Sequence, residues 1–245
     1  MKTVLTNPPT ASIIIRARNE GKYLDQVLAM LANQTFKDFE IIVVNNDSTD
    51  TTLAIAQKYH CSIVNLAKNK FTYPYACNLG VKHSLGKYLV FLSGHSIPIS
   101  TDWLKDGLVN FKDPKVAGVY ATALPLPNAY FFEKLTYTLI SKLFRGKRFV
   151  MRNVNRAKMG TLGFTNAIIR KDLWEKYPLN ENFGAGGEDG DWARHWLGQG
   201  MIIVHDPKFK VYHSHNLKLV DLIKQYQGWL KMARENNFVA QKRNF

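Results

Sequence analysis

Three short runs of apolar, largely β-branched residues constrain this chain most: Ser12–Arg16 (SIIIR), Glu40–Val44 (EIIVV) and Lys87–Leu92 (KYLVFL). Each run is continuous rather than alternating, so each strand buries both faces, as strands of a helix-covered parallel sheet do. The segments between them supply the helices. Lys22–Asn33 places Tyr23, Leu24, Val27, Leu28 and Leu31 at helical spacing, and Thr51–Tyr59 follows a turn whose Ser, Thr and Asp suit capping. Ser62–Leu66 reads as a further strand and Tyr75–Leu85 as a further helix. The expected fold class is α/β, a mostly parallel central sheet flanked by helices. Ligands of such sheets gather at the carboxyl ends of the strands, here Arg16–Glu20, Asn45–Asp50 and Ser93–Pro98.

The second half is less regular. Val116–Ala121 and Gly163–Arg170 read as strands, Glu188–Leu197 as a helix, and Met201–Val204 and Phe209–Tyr212 as short strands. Tyr130–Phe144 is an aromatic, basic amphipathic segment, and Leu217 to about Phe238 has helical spacing. With 245 residues and no linker rich in Pro, Gly or Ser, the chain reads as one domain. It divides into a half at about 11–122, a half at about 123–216 and a basic helical tail at 217–245.

No run approaches the ~18 apolar residues of a membrane span. The opening MKTVLTNPPT lacks the apolar core of a signal peptide, which points to the cytosol. Cys61 and Cys77 form no zinc pattern and suit a reducing compartment. The net charge of +14 is uneven: residues 1–122 hold 13 basic and 9 acidic side chains, residues 123–245 hold 20 and 10. From Lys134 to Lys158 there are eight basic residues and no acid. Such a patch points to a polyanion, whether nucleic acid, an anionic lipid surface or a phosphorylated substrate, or else to a solvated basic face. Interleaved Tyr137, Phe144 and Phe149 suit stacking on bases or lying on a membrane.

Three clusters carry chemistry. NNDSTD, between a buried strand and a helix, either holds part of a nucleotide or is a well-capped turn. LSGHSIP puts His95 at a strand end, and VYHSH puts His213 and His215 two apart, so that both face one side of an extended segment. Together they offer ligands for a borderline divalent metal, or structural hydrogen bonds. GAGGEDGDWARHW leads glycines into Glu188, Asp189 and Asp191 at a helix start, an arrangement that serves either the helix dipole or a general base.

In order and spacing these pieces resemble a family-2 glycosyltransferase of GT-A fold, in its rhamnosyltransferase-like branch, over about Ala11 to Gln225. SIIIRARNE through NNDSTDTT is similar to that family's opening strand–helix–strand, GFTNAIIRKDLWEKYPLNENFGAGGED to its acceptor-side segment, and DPKFKVYHSHNLKL to its closing strand. The resemblance implies an inverting transfer from a nucleotide-sugar donor to a saccharide or lipid-linked saccharide. Donor contacts would fall to Arg16, Arg18, Asn19, Glu20, Asn45, Asn46, Asp47, Asn78, Ser93, Gly94 and His95. Asp189, with Glu188 beside it, would be the base, and Asn166 and Trp192 would meet the acceptor. Ser93-Gly94-His95 stands where the family has its DxD triplet. The Mn²⁺ or Mg²⁺ that this motif usually binds would then fall to His95, His213 and His215, or be replaced by basic side chains. A lipid-linked acceptor and the basic segments imply an enzyme peripheral to the anionic inner face of the plasma membrane. The alternatives are an inactive glycan- or nucleotide-binding relative, a related nucleotidyl- or phosphosugar transferase, and, disfavoured, a nucleic-acid-binding protein.

Overall fold

A computed structural model describes residues 7–143, 147–157, 160–184, 186–215 and 217–242. The first half contains β1 (Ala11–Ala17), α1 (Leu24–Ala32), β2 (Phe39–Asn45), α2 (Thr52–Lys58), β3 (Ser62–Asn65), α3 (Tyr73–Lys82), β4 (Tyr88–Ser93), β5 (Ile97–Pro98) and α4 (Trp103–Leu108). There follow β6 (Val116–Tyr120), α5 (Phe131–Leu143), β7 (Phe149–Met151), β8 (Asn166–Arg170), α6 (Lys171–Lys176), α7 (Glu188–Gly198), β9 (Ile202–His205), β10 (Val211–Tyr212) and α8 (Leu219–Lys242).

Eight strands form one sheet in the order β3-β2-β1-β4-β8-β6-β9-β7, while β5 and β10 pair separately. β3, β2, β1 and β4 are parallel neighbours, as are β6 and β9. β8 runs against both β4 and β6, and β7 against β9. The mostly parallel sheet is therefore mixed, and β8 is the strand that joins its two parts.

The pleat sorts the continuous apolar runs onto two faces. Ile13, Ile15, Val43, Val90 and Leu92 pack with α1 and with Trp103 and Leu104 of α4. Ile14, Ile42, Val44, Leu89 and Phe91 pack with Ala76, Cys77 and Val81 of α3 and with Trp192 and Trp196 of α7. Gly80 lets α3 close onto that second face: a Cβ there would stand 2.4 Å from Ile14 Cγ2 and 3.0 Å from Val44 Cγ2. Both cysteines are free thiols, and burial pushes Cys77 up to about 12 and Cys61 up to about 11.

Two sequence expectations shift, while the expected Asp capping of α2 holds. The strand expected over Gly163–Arg170 begins only at Asn166, because Gly160–Thr165 is a turn in which Leu162 takes φ +65° and the Gly163 N–H donates to Gly160 O. α2 is capped by Asp50, whose Oδ1 accepts from the Thr52 N–H, with no side-chain bond from the Thr51 cap residue. The basic aromatic segment divides into α5 and β7, with Phe144, Arg145 and Lys158 outside the described residues. Within it Phe149 stacks on His205 at 4.7 Å and 9°, so its ring is no free platform for a base. No helix among the described residues is long and apolar enough to cross a membrane.

Candidate active site

The carboxyl ends of β1, β2 and β4 and the turn before β8 open into one cleft of about 710 Å³. Parallel strands deliver their ends to the same edge of the sheet, and antiparallel β8 brings its amino end there as well, opposite Leu92. The cleft is lined by Arg16, Arg18, Glu20, Asn46, Ser93, His95, Glu188, Asp189, His213 and His215, all expected from the sequence. It is also lined by residues the sequence did not single out, among them Phe71, Tyr73, Gly160, Phe164, Gln225 and Trp229.

Arg16, in β1, spans the two halves. Its Nη2 donates to Phe164 O at 3.0 Å and its guanidinium lies 5.0 Å from the Tyr73 ring centroid. Its buried Nε has no hydrogen-bond partner among the described residues. Asn46 is likewise buried, with its Oδ1 unpartnered at the cleft. Both atoms are polar groups whose burial is costly without a partner, and a bound ligand would supply one.

Other candidates are spent within the fold. Asn45 donates to Asn65 Oδ1 at 3.0 Å and accepts the Ser48 N–H at 3.2 Å, closing the turn after β2 instead of facing the cleft. Asn19, at φ +54°, accepts the Thr49 N–H and so ties the β1 loop to that turn. Asp47, at φ +52°, is exposed and does not line the cleft. Asn78 accepts Trp174 Nε1 at 2.9 Å and donates to Leu179 O and Glu181 Oε1, so it fastens α3 to α6 and the loop that follows α6. Gly94 contributes closeness: a Cβ would meet Glu20 Cγ at 2.6 Å.

Both expected acceptor residues are corrected. Asn166 accepts Trp103 Nε1 at 3.2 Å and donates to Phe209 O at 2.6 Å inside the core. Trp192 is 0% exposed and donates to Tyr177 O, leaving no face for a sugar.

α7 presents the carboxylates. Gly187, its N-cap residue at φ +110°, turns the chain so that Glu188 and Asp189 enter the cleft at the helix start. Both are buried, and Glu188 Oε2 has no partner among the described residues. Asp189 Oδ1 accepts the Gly190 N–H at 2.6 Å. Burial first, then the neighbouring Glu188, pushes Asp189 up to about 7. Burial also raises Glu188, against the pull of Arg16. A carboxylate held near neutrality can accept a proton in the transition state and still be free at physiological pH. Asp191 instead accepts the Tyr177 hydroxyl at 3.2 Å.

Among the described residues, His95, His213 and His215 put ligand atoms within 4.8 Å of one another. The His95 and His213 rings stack at 4.5 Å, and His215 meets both edge-on at 5.0 and 4.8 Å. His95 Nδ1 lies 2.8 Å from Glu20 Oε1 and His213 Nδ1 3.1 Å from Ser96 Oγ. Glu133 of α5, 1% exposed, fixes the His215 loop by accepting the N–H groups of His215 and Leu217. No sequence motif marked Glu133. Burial, then neighbouring imidazoles, lowers His213 well below its ordinary value, and burial lowers His215. Neutral imidazoles with oriented ring nitrogens are good metal ligands, so this set fits a divalent ion with an affinity for nitrogen donors.

A sequence model of glycosyl transferase family 2 matches residues 12–177. The O-antigen chain rhamnosyltransferase RfbN of Salmonella typhimurium is 26% identical over 84% of this chain and 66% of its own length. The chain spans from about a quarter to two thirds of the length of the curated relatives it first matches. Among solved structures, glucosyl-3-phosphoglycerate synthase of Mycobacterium tuberculosis, in complex with Mn²⁺, UDP and glucosyl-3-phosphoglycerate, is similar at TM-score 0.65 and 14% identity. That match covers 93% of this chain and 80% of that one. Mannosyltransferase PcManGT of Pyrobaculum calidifontis, in complex with GDP-Man and Mn²⁺, is similar at TM-score 0.62 and 16% identity, over 85% of this chain and 58% of that one. The fold is that of the GT-A enzymes, as the order of motifs implied.

Proposed function

The chain belongs to glycosyl transferase family 2, and from that premise we propose that it moves a sugar from a nucleotide-sugar donor to a saccharide acceptor with inversion. The observation that carries this reading is that the buried Glu188–Asp189 pair and the three clustered imidazoles line one cleft. A displacement needs both a base for the attacking hydroxyl and a group that offsets the charge of the leaving diphosphate. Asp189 takes the proton of an acceptor hydroxyl while that oxygen attacks the anomeric carbon. The bond from that carbon to the nucleoside diphosphate breaks on the opposite face, and the diphosphate departs with the bonding pair.

Donor recognition falls to Arg16, Arg18, Glu20, Asn46 and Ser93. The free Asn46 Oδ1 accepts a nucleobase N–H, and the Arg16 guanidinium draws the anionic diphosphate. When bound among His95, His213 and His215, a divalent cation offsets the negative charge of the leaving diphosphate. Acceptor contacts fall to Gln225, whose amide suits sugar hydroxyls, and to Phe71, Tyr73 and Trp229, whose rings suit the apolar faces of sugars.

The product belongs to a surface polysaccharide or lipid-linked glycan, a reading supported by RfbN, named for the O-antigen chain, and by GgaB of Bacillus subtilis, named for minor teichoic acid biosynthesis. The enzyme works at the inner face of the membrane, where its basic half meets anionic lipid. A thermal-shift panel of nucleoside diphosphates and nucleotide sugars tests the donor side, because a ligand that binds the folded state raises the midpoint by mass action. One base should stand out; a flat response across the panel overturns the reading.

A further inference from the structure

We infer that His95, His213 and His215 form a nitrogen-donor metal site that selects a borderline ion, of the Zn²⁺, Co²⁺ or Ni²⁺ class, over Mg²⁺. The inference rests on the donor-site reading above and names the class of ion that the site takes.

Ligand atoms on three different loop positions converge to within 4.8 Å, and none of the three is a carboxylate. Imidazole suits Zn²⁺, Ni²⁺ and Cu²⁺, whereas Mg²⁺ demands a near-octahedral set of oxygens and gives up its water reluctantly. The nearest carboxylate, Glu20, is engaged by His95 Nδ1 at 2.8 Å. That contact has the form of an outer-shell partner, which holds a ring so that its other nitrogen faces the ion. Ser96 Oγ does the same for His213 at 3.1 Å.

The support extends further out. Gly94 leaves no room between its own backbone and Glu20, and buried Glu133 pins the backbone of the loop that carries His215. A site held in this way keeps three protein ligands and leaves the remaining positions open, the pattern of catalytic rather than closed structural metal centres. Diphosphate oxygens of the donor fill those positions. Metal–nitrogen bonds of about 2.0–2.1 Å require the three ring nitrogens to draw in from separations of up to 4.8 Å.

The experiment is titration calorimetry of chelator-stripped chain with ZnCl₂, CoCl₂, MnCl₂ and MgCl₂, each with and without the nucleoside diphosphate that the thermal panel selects. Zn²⁺ and Co²⁺ should bind one ion per chain, roughly 100-fold or more tighter than Mg²⁺, and bound Co²⁺ should show the visible absorption of nitrogen coordination. His95→Gln, at a half-buried ligand, and His213→Ala should each weaken Zn²⁺ by about 10-fold or more, and Glu20→Gln by about 10-fold, with far-ultraviolet dichroism confirming that each folds. Mg²⁺ binding as tightly as Zn²⁺, or Zn²⁺ binding that both His variants leave unchanged, overturns the inference. Nucleotide binding by the metal-loaded chain is read separately: its absence overturns the donor reading, while a retained Zn²⁺ preference still upholds the metal site.

Discussion

Two neighbouring carboxylates buried at one helix start cannot both ionise cheaply; Arg16 moderates both, and Arg194 adds to its effect on Asp189. Because Asp189 sits at about 7 against an ordinary 3.8, the native chain holds this proton more tightly than the unfolded chain does. The stability it contributes is therefore whole at acid pH and is lost as pH rises through about 7. Denaturant titrations at pH 5 and pH 8 should show a stability loss in the wild type that Asp189→Asn largely abolishes; equal losses would remove Asp189 as the cause. The same proton governs turnover in the opposite direction. kcat/KM should climb with pH on a limb near 7, and Asp189→Asn should cost about 10²–10⁴-fold in rate while nucleotide affinity is kept. Residues whose placement at the cleft follows from a strand end, such as Arg16 and His95, were legible from the sequence. Asn78 and Asn166 were not, because what decides their role is a partner far along the chain, Trp174 for Asn78 and Trp103 for Asn166; nor was Trp192, whose full burial is set by tertiary packing. A polar side chain close to a motif looks the same in sequence whether it meets a ligand or an indole.

Elements hold the site by close approach and by tight turns. α3 lies on the sheet only because Gly80 has no side chain, so Gly80→Ala should destabilise by about 1–3 kcal/mol through overpacking, read as a lowered denaturation midpoint with the cleft otherwise intact. Gly187 has a different duty. At φ +110° it aims α7 at the cleft, and Gly187→Ala should cost about 1–3 kcal/mol of backbone strain. It should also lower turnover beyond what the stability loss explains, since Glu188 and Asp189 move with the helix start. A full-activity Gly187→Ala enzyme would show that the turn does not set the base. β1, β2 and β4 could be read directly because strands buried on both faces are continuously apolar. The reversed direction of β8 carries no such signature, since its NAIIR run is apolar whichever way it points. β7 and α4 were missed for want of length: three and six residues do not establish a period.

Across the whole molecule, which carries a net charge of +14, exposed apolar side chains gather on α5 and α8. Phe131, Leu135 and Leu139 follow one another at helical spacing on α5, and Leu219, Ile223 and Leu230 do so on α8, all exposed. Lys218, Lys224 and Lys231 stand exposed among the latter. Apolar ridges edged with lysine are the makings of a helix that lies in a lipid headgroup layer. α8 also contributes Gln225 and Trp229 to the cleft, so a membrane bound there would lie close to its mouth. The chain should sediment with phosphatidylglycerol vesicles, less so as salt is raised, and Ile223→Glu with Leu230→Glu should release it. Vesicle binding indifferent to both salt and these substitutions would sink the membrane reading.

β8 also matters to how the chain comes off the ribosome. β1 to β4 can pair as soon as residue 93 has emerged, yet the outer edge of β4 waits for Asn166–Arg170. Until then a nascent chain carries an uncapped, apolar strand edge, the template on which neighbouring chains aggregate. Fragments that stop short of β8 should accumulate as inclusion bodies, whereas the full chain stays dispersed. The reversed strand that carries the second half of the cleft into the sheet is thus also the stopper that ends this exposure.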